Sequence, residues 1–219
     1  MNVIITGSTG MVGKGVLLEC INHPEVEEIL IINRKSLKIN HPKVSELVLP
    51  NFMEISNHKD KLIGYDACFY CMGISSLGKS ENEYSSITFD ITKQFADTLY
   101  ELNHNLIFNY VSGSGTDSRE SGRSMWARVK GKTENYILNK NFGDAYMFRP
   151  GAIIPEKGIK SSTGWINLIL ILLSPFYFFM KKSQHVTTTT RIGQGMIQTV
   201  LSPLNNKHLE NKDINNLVG

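Results

Sequence analysis

Val3-Ile4-Ile5-Thr6, a short apolar run, breaks directly into Gly7-Ser8-Thr9-Gly10-Met11-Val12-Gly13 and then into an apolar stretch from Val16 to Ile21. The order strand, glycine turn, helix commits the start of the chain to an α/β unit whose first junction is a phosphate cradle. Gly7 lets the chain turn without a Cβ penalty, Gly10 lets the backbone approach a pyrophosphate, and Gly13 lets helix and strand pack closely. Unpaired amides at the start of the helix, together with its macrodipole, hold the anion. A tight turn of this composition also occurs in α/β proteins that bind nothing there. The strand before it and the helix after it give the motif its weight.

The second strand, Ile29-Leu30-Ile31-Ile32, ends in Asn33-Arg34-Lys35. An acidic side chain at this point bonds adenosine ribose hydroxyls, whereas a guanidinium grips a 2′-phosphate in bidentate fashion. Arg34, helped by Lys35, therefore points to NADP, with NAD as the alternative. The competing reading is a solvated basic turn.

A length of 219 residues suits one sizeable domain, and 41% hydrophobic content is enough for its core. A net charge of +3, with no basic stripe interleaved with aromatics, argues for a small-molecule partner and against nucleic acid. Cys20, Cys68 and Cys71 cannot all pair, and no signal peptide is read before the first strand, so the expected location is a reducing cytoplasm. Cys68-Phe-Tyr-Cys71 has redox or metal spacing but lies in an apolar run, where odd separations face opposite ways, so two packed thiols are expected. The six histidines are scattered with no pair at ligand spacing, and no metal site is predicted.

Apolar runs predict strands near 2–6, 28–33, 44–49, 66–72, 105–112 and 145–149, and helices over 11–22, 81–103 and 125–140. Ile87, Ile91, Phe95 and Leu99 make a core-facing stripe on the second of these helices. The alternation predicts a doubly wound parallel sheet with right-handed crossovers. Residues 1–219 read as a single domain in which 151–219, helices and loops, form a small substrate lobe. Ser112 to Ser124, rich in Gly, Ser and charge, reads as a mobile loop. Trp165 to Phe179 is strongly apolar, but its fifteen residues contain Pro175 and fall short of the roughly 20 needed to span a bilayer. It reads first as a helix buried in the lobe, with a homodimer face or a peripheral membrane contact as alternatives. Monomer and homodimer both stay open.

The TGxxGxxG turn at Gly7, Gly10 and Gly13 is joined by Val111-Ser112-Gly113-Ser114 at a strand end, Val129-Lys130-Gly131-Lys132-Thr133-Glu134 in a helix, and Phe148-Arg149-Pro150-Gly151. Over nearly the whole chain this set resembles the short-chain dehydrogenase/reductase superfamily, in particular its atypical branch of NAD-dependent epimerases and Tat-interacting-protein-like oxidoreductases. The resemblance implies a Rossmann-type fold and hydride transfer between nicotinamide and a carbonyl or alcohol, with Ser, Tyr and Lys converging on the oxygen. It also implies a ribose contact for Lys130, an adenine border at Cys71, Met72 and Gly73, and a nicotinamide border at the backbone following Pro150.

Hydride arrival at a carbonyl leaves charge on oxygen, which a proton donor must neutralise. A tyrosine and a lysine four apart on a helix reach one cleft, but here Trp126 stands four residues before Lys130. Indole donates a hydrogen bond without titrating in this range. Ser112 or Ser114 remains to bind a substrate oxygen, and Trp126 is expected to line the nicotinamide end. The family's relay asparagine falls loosely on Thr88. Tyr84 and Tyr110 are substitute donors on paper, although Tyr110 shares a strand face with Ser112 and reads as core. Two functions follow: an NADP-dependent oxidoreductase or epimerase-like enzyme on a small carbonyl, alcohol or sugar nucleotide, or a cofactor-binding sensor without turnover.

Overall fold

The computed structural model describes residues 1–160, 177–180 and 183–218. Its strands are β1 (Asn2–Thr6), β2 (Glu28–Asn33), β3 (Val44–Val48), β4 (Ala67–Tyr70), β5 (Ile107–Val111), β6 (Asp144–Arg149), β7 (Ala152–Ile154), β8 (Val186–Thr188) and β9 (His208–Glu210). Its helices are α1 (Met11–Asn22), α2 (Glu81–Ser85), α3 (Ile91–Leu102), α4 (Met125–Leu138), the single turn α5 (Tyr177–Met180), α6 (Thr189–Leu201) and α7 (Asn211–Asn216). Among the described residues one sheet runs β3-β2-β1-β4-β5-β6-β9 with every neighbouring pair parallel. The order reverses between β1 and β4, which opens the crevice at the carboxyl ends of the strands where such sheets bind ligands.

Parallel strands covered on both faces need continuous apolar sequence, and Ile29, Leu30, Ile31 and Ile32 are all buried. Alternate residues supply two cores. Ile4, Leu30, Cys68, Tyr70, Phe108 and Tyr110 pack with Phe95 and Leu99 of α3 on one face. Ile5, Ile29, Ile31, Phe69 and Phe148 pack with Val16 and Cys20 of α1 and Ile192 and Met196 of α6 on the other. Cys68 joins the first core and Cys71 borders the second, so the two thiols face opposite ways and are free, and burial raises both pKa values.

The structure departs from the sequence reading in three places. The helix expected over 81–103 winds through a π-turn at Ser86–Asp90, which separates α2 from α3. The segment 112–124, expected to be mobile, is anchored at Asp117: its carboxylate accepts from the backbone amides of Arg119, Ser121 and Gly122, and its own amide donates to the Ala127 carbonyl at 3.1 Å. Beyond Pro150, where helices and loops were expected, β7 and β8 form a separate parallel pair and β9 extends the main sheet.

These three-residue strands are too short to show a periodicity. Furthermore, α6 packs closely against α1. An added Cβ on Gly15 would lie 2.6 Å from the Thr189 Cβ, and one on Gly193 would lie 2.6 Å from the Glu19 Cγ. Most of the apolar run from Trp165 to Phe179 lies outside the described residues, so its expected burial or membrane contact is not addressed by them. No helix among the described residues is long and apolar enough to cross a membrane.

Candidate functional site

At the end of β1 the backbone turns at Gly7 with φ +68°, a conformation that favours glycine. An added Cβ there would lie 2.8 Å from the backbone of Cys71 and Met72, and one on Gly13 would lie 2.2 Å from the Gly7 carbonyl oxygen. The turn is thus clamped between the chain leaving β4 and the first turn of α1. Gly10 donates its amide to the Gly7 carbonyl at 2.9 Å and enters α1 with no side-chain cap, so Met11, Val12 and Gly13 begin a helix whose leading amides have no side-chain partner.

Ser8 is buried and donates its hydroxyl to Asn33 Oδ1 at 3.0 Å, while Asn33 Nδ2 donates to Glu46 Oε1 at 3.3 Å. Asn33 is therefore a brace that ties the end of β2 to the glycine turn. Desolvation opposes ionisation of Glu46, but hydrogen bonds from Ser36, Leu37 and Asn33 hold its carboxyl below the ordinary value. The brace sets Arg34 and Lys35 beside the turn, both exposed and, among the described residues, with no hydrogen bond or ion pair from their side chains. Thr9 is exposed on the turn itself, and Gly73 is exposed with nothing within 4 Å of an added Cβ.

The other half of the crevice lies where β5 and β6 end. Ser112 and Ser114 donate their amides to the carbonyls of Phe148 and Pro150 at 2.8 and 2.9 Å, pinning the two strand ends together. The Lys130 ammonium donates to the Ser112 carbonyl, and burial pushes its pKa down to about 8 against the opposing pull of Glu134. One turn earlier on α4, the partly exposed Trp126 ring packs over Gly113 and Gly115, 4.0 and 3.6 Å from where their Cβ atoms would stand.

Of the two serines expected near the substrate oxygen, Ser112 is buried, with its hydroxyl in range to donate to Glu134 Oε1 or, at 3.2 Å, to the Phe148 carbonyl, whereas Ser114 is exposed. Tyr84 and Tyr110 are buried, and burial raises both phenols. Thr88 lies on the π-turn with its buried hydroxyl unpaired among the described residues.

No family model matches the chain. Protein HTATIP2 of Rattus norvegicus is 23% identical over 217 residues, covering 97% of this chain and 87% of that protein. The UDP-glucuronic acid 4-epimerase from Bacillus cereus, solved in complex with NAD, is similar with a TM-score of 0.69 at 14% identity, over 96% of this chain and 78% of that one. The carbonyl reductase Sniffer of D. melanogaster is similar with a TM-score of 0.64 at 14% identity, over 96% of each. The chain shares the fold of these two enzymes.

The VKGxxE stretch has a packing role that its spacing alone does not disclose. A Cβ on Gly131 would fall 1.8 Å from the Asp117 carbonyl oxygen, so this glycine lets the 112–124 segment lie flat on α4. Glu134, with no exposed side-chain surface, receives the Arg149 guanidinium through both oxygens, Nε to Oε1 at 3.0 Å and Nη2 to Oε2. Arg149 also donates to Ser118 Oγ and lies 3.5 Å from Glu210. His208 Nε2 stands 3.6 Å from Glu134 without a hydrogen bond, and desolvation together with Arg149 lowers its pKa. The available signal was the pairing of a helix glutamate with the arginine of the Arg-Pro-Gly turn, since a buried carboxylate requires a charged partner.

Proposed function

We propose that the chain binds NADP(H) and acts as an oxidoreductase or epimerase-like enzyme on a small carbonyl, alcohol or sugar-nucleotide substrate. The observation that carries this reading is the glycine turn. Its clamped geometry excludes side chains at Gly7 and Gly13 and presents an uncapped helix start to the crevice, which fits a diphosphate bound through main-chain nitrogens. The similar epimerase was solved with NAD.

Residues 7–13 would hold the diphosphate, and Arg34 and Lys35 the 2′-phosphate. Cys71, Met72 and Gly73 would border the adenosine, Lys130 the second ribose, and the backbone after Pro150 the nicotinamide. The bound cofactor supplies or accepts hydride. The protein must then provide a proton and stabilise the developing alkoxide.

With an indole at position 126, that proton falls to Lys130. An ammonium with a pKa near 8 is matched to general acid work near neutral pH. Lys130 would give one N–H proton to the substrate oxygen as charge develops there, and the resulting amine would take a proton back from water. The Ser114 hydroxyl and the Trp126 N–H are the further donors assigned to that oxygen, while Ser112 holds Lys130 through its carbonyl.

A second reading, a sensor that binds NADP(H) without turnover, is favoured by Trp126 and by the commitment of the Ser112 hydroxyl to Glu134. NADPH oxidation with panels of aldehydes, ketones and quinones separates the two. Wild-type turnover that disappears in Lys130→Ala supports the enzyme. Binding without turnover, with activity appearing in Trp126→Tyr, supports the sensor. Calorimetry in which neither NADPH nor NADH binds the folded protein at millimolar concentration overturns both.

A further inference from the structure

A cavity of about 630 Å³ opens beside α1, between the segment that follows β2 and the one that follows β7. Its size falls within the range of small-molecule sites. Leu17 and Leu18 of α1, Leu37, Ile39 and Ile159 give it an aliphatic lining. Lys14, Lys38, Lys157 and Lys160 stand around it, and no acidic residue is among its described lining residues. Lys157 is already paired with Glu19, whereas the ammonium groups of Lys14, Lys38 and Lys160 have no hydrogen bond or ion pair among the described residues.

Lys38 and Lys157 also adopt the left-handed backbone, with φ of +52° and +54°. That conformation is uncommon outside glycine and concentrates at ligand clamps. Next to Lys157, Gly158 at φ +74° has open space around it.

These features select a chemistry. Unneutralised ammonium groups around a cavity call for an anion, and an aliphatic lining calls for hydrocarbon. Among the described residues the lining holds no aromatic ring on which a nucleobase could stack. We propose that this cavity binds a single-chain anionic amphiphile, with its carboxylate or phosphate head among Lys14, Lys38 and Lys160 and its chain against Leu17, Leu18, Leu37, Ile39 and Ile159. The cavity shares no lining residue with the dinucleotide site proposed above, and its reading does not depend on that one.

The test is a titration of the full chain with cis-parinaric acid, a fatty acid that fluoresces on entering an apolar site, kept below its micelle concentration. The expected result is saturable binding at one site per chain, weakened about tenfold or more in Lys14→Glu and in Lys38→Glu, since each loses a charge-assisted contact. Lys160→Glu, in an exposed segment, repeats the measurement where folding is not at stake, and circular dichroism checks all three variants. Displacement by palmitate or by lysophosphatidic acid, but not by inorganic phosphate or by the methyl ester of palmitate, supports the proposal and identifies the head group.

Three outcomes overturn it: no saturable binding, equal binding of the methyl ester, or unchanged affinity in the folded charge-reversal variants. A fourth is displacement of the probe by NADPH at the concentration at which NADPH itself binds, because the cavity would then be an end of the dinucleotide site. Failure of dinucleotide binding is read separately, by calorimetry, and leaves the amphiphile titration unaffected.

Discussion

Gly13→Ala isolates the packing function of the glycine turn. The new methyl would sit 2.2 Å from the Gly7 carbonyl oxygen, 2.6 Å from its carbonyl carbon and 2.9 Å from the Ser8 Cα, all of them backbone atoms. No rotamer change relieves the contact, so α1 must recede from β1 by roughly 1 Å to restore ordinary carbon separations. That movement loosens Val16 and Cys20 against Ile5 and Ile31 in one of the two cores. Overpacking of this kind costs about 1–3 kcal/mol. For a chain of this size each kcal/mol moves the melting temperature by roughly 2–4 °C, so a fall of about 2–12 °C is expected.

Gly10→Ala is the control. Its Cβ would meet a single atom, the Gly7 oxygen at 3.3 Å, from an extended backbone that alanine accepts, with φ −83°. Its melting temperature should stay within about 2 °C of wild type, since the reduced freedom of the unfolded chain offsets a mild contact. NADPH affinity should nevertheless fall, because the methyl stands where the diphosphate approaches the chain. Calorimetric melting and NADPH titration on the same preparations separate the two effects. Equal melting shifts for both variants, or a Gly13→Ala melting temperature indistinguishable from wild type, would refute the assignment of close packing to one glycine and ligand approach to the other.

Arg34→Ala should weaken NADPH by about 1.5–3 kcal/mol, or one to two decades, and leave NADH nearly unchanged in parallel titrations; equal losses contradict the selector role. NADPH-dependent reduction should decline as pH rises through about 8, where Lys130 loses its proton, and a pH profile with no break in that region removes Lys130 as the acid. The same group affects stability with a definite sign. Its folded pKa of about 8 lies below the roughly 10.4 of an unfolded chain, so between these values the unfolded state binds more protons and stability rises with pH. Urea midpoints for wild type against Lys130→Met should diverge over that window, and parallel curves would deny the shift. Glu134→Ala leaves the Arg149 guanidinium, 12% exposed, beside no buried carboxylate. The loss should be about 3–5 kcal/mol in urea unfolding, and a loss below about 1 kcal/mol would mean that Arg149 finds water instead.

Six strands and the helices α1 to α4 were legible because buried parallel strands need unbroken apolar runs and a core-facing helix shows its stripe. The Ile29-Leu30-Ile31-Ile32 run and the Phe95 to Leu99 spacing both survive into the core. The π-turn at Ser86–Asp90 was not legible, because widening one turn leaves the apolar stripe continuous across it. The three-residue strands β7, β8 and β9 were not legible either, because their pairing is set by partners distant in sequence. In the crevice, the glycine turn could be read from glycine itself, whose conformational demands are local. The engagement of Ser112 could not, because its partner Glu134 lies 22 residues away on another element.

That engagement changes what the VKGxxE stretch is for. Lys130 holds the carbonyl of Ser112, Gly131 admits the backbone of Asp117, and Glu134 takes the hydroxyl of Ser112 along with the guanidinium of Arg149. Positions 130, 131 and 134 fall within about one turn of helix, and together they dock the ends of β5 and β6 and the segment between β5 and α4. A pattern with this architectural duty persists whether or not chemistry does, so its presence speaks for the shape of the crevice and not for turnover. On the proposed reading the proton would come from Lys130, whose ammonium fastens the Ser112 carbonyl and has a pKa lowered to about 8 by burial.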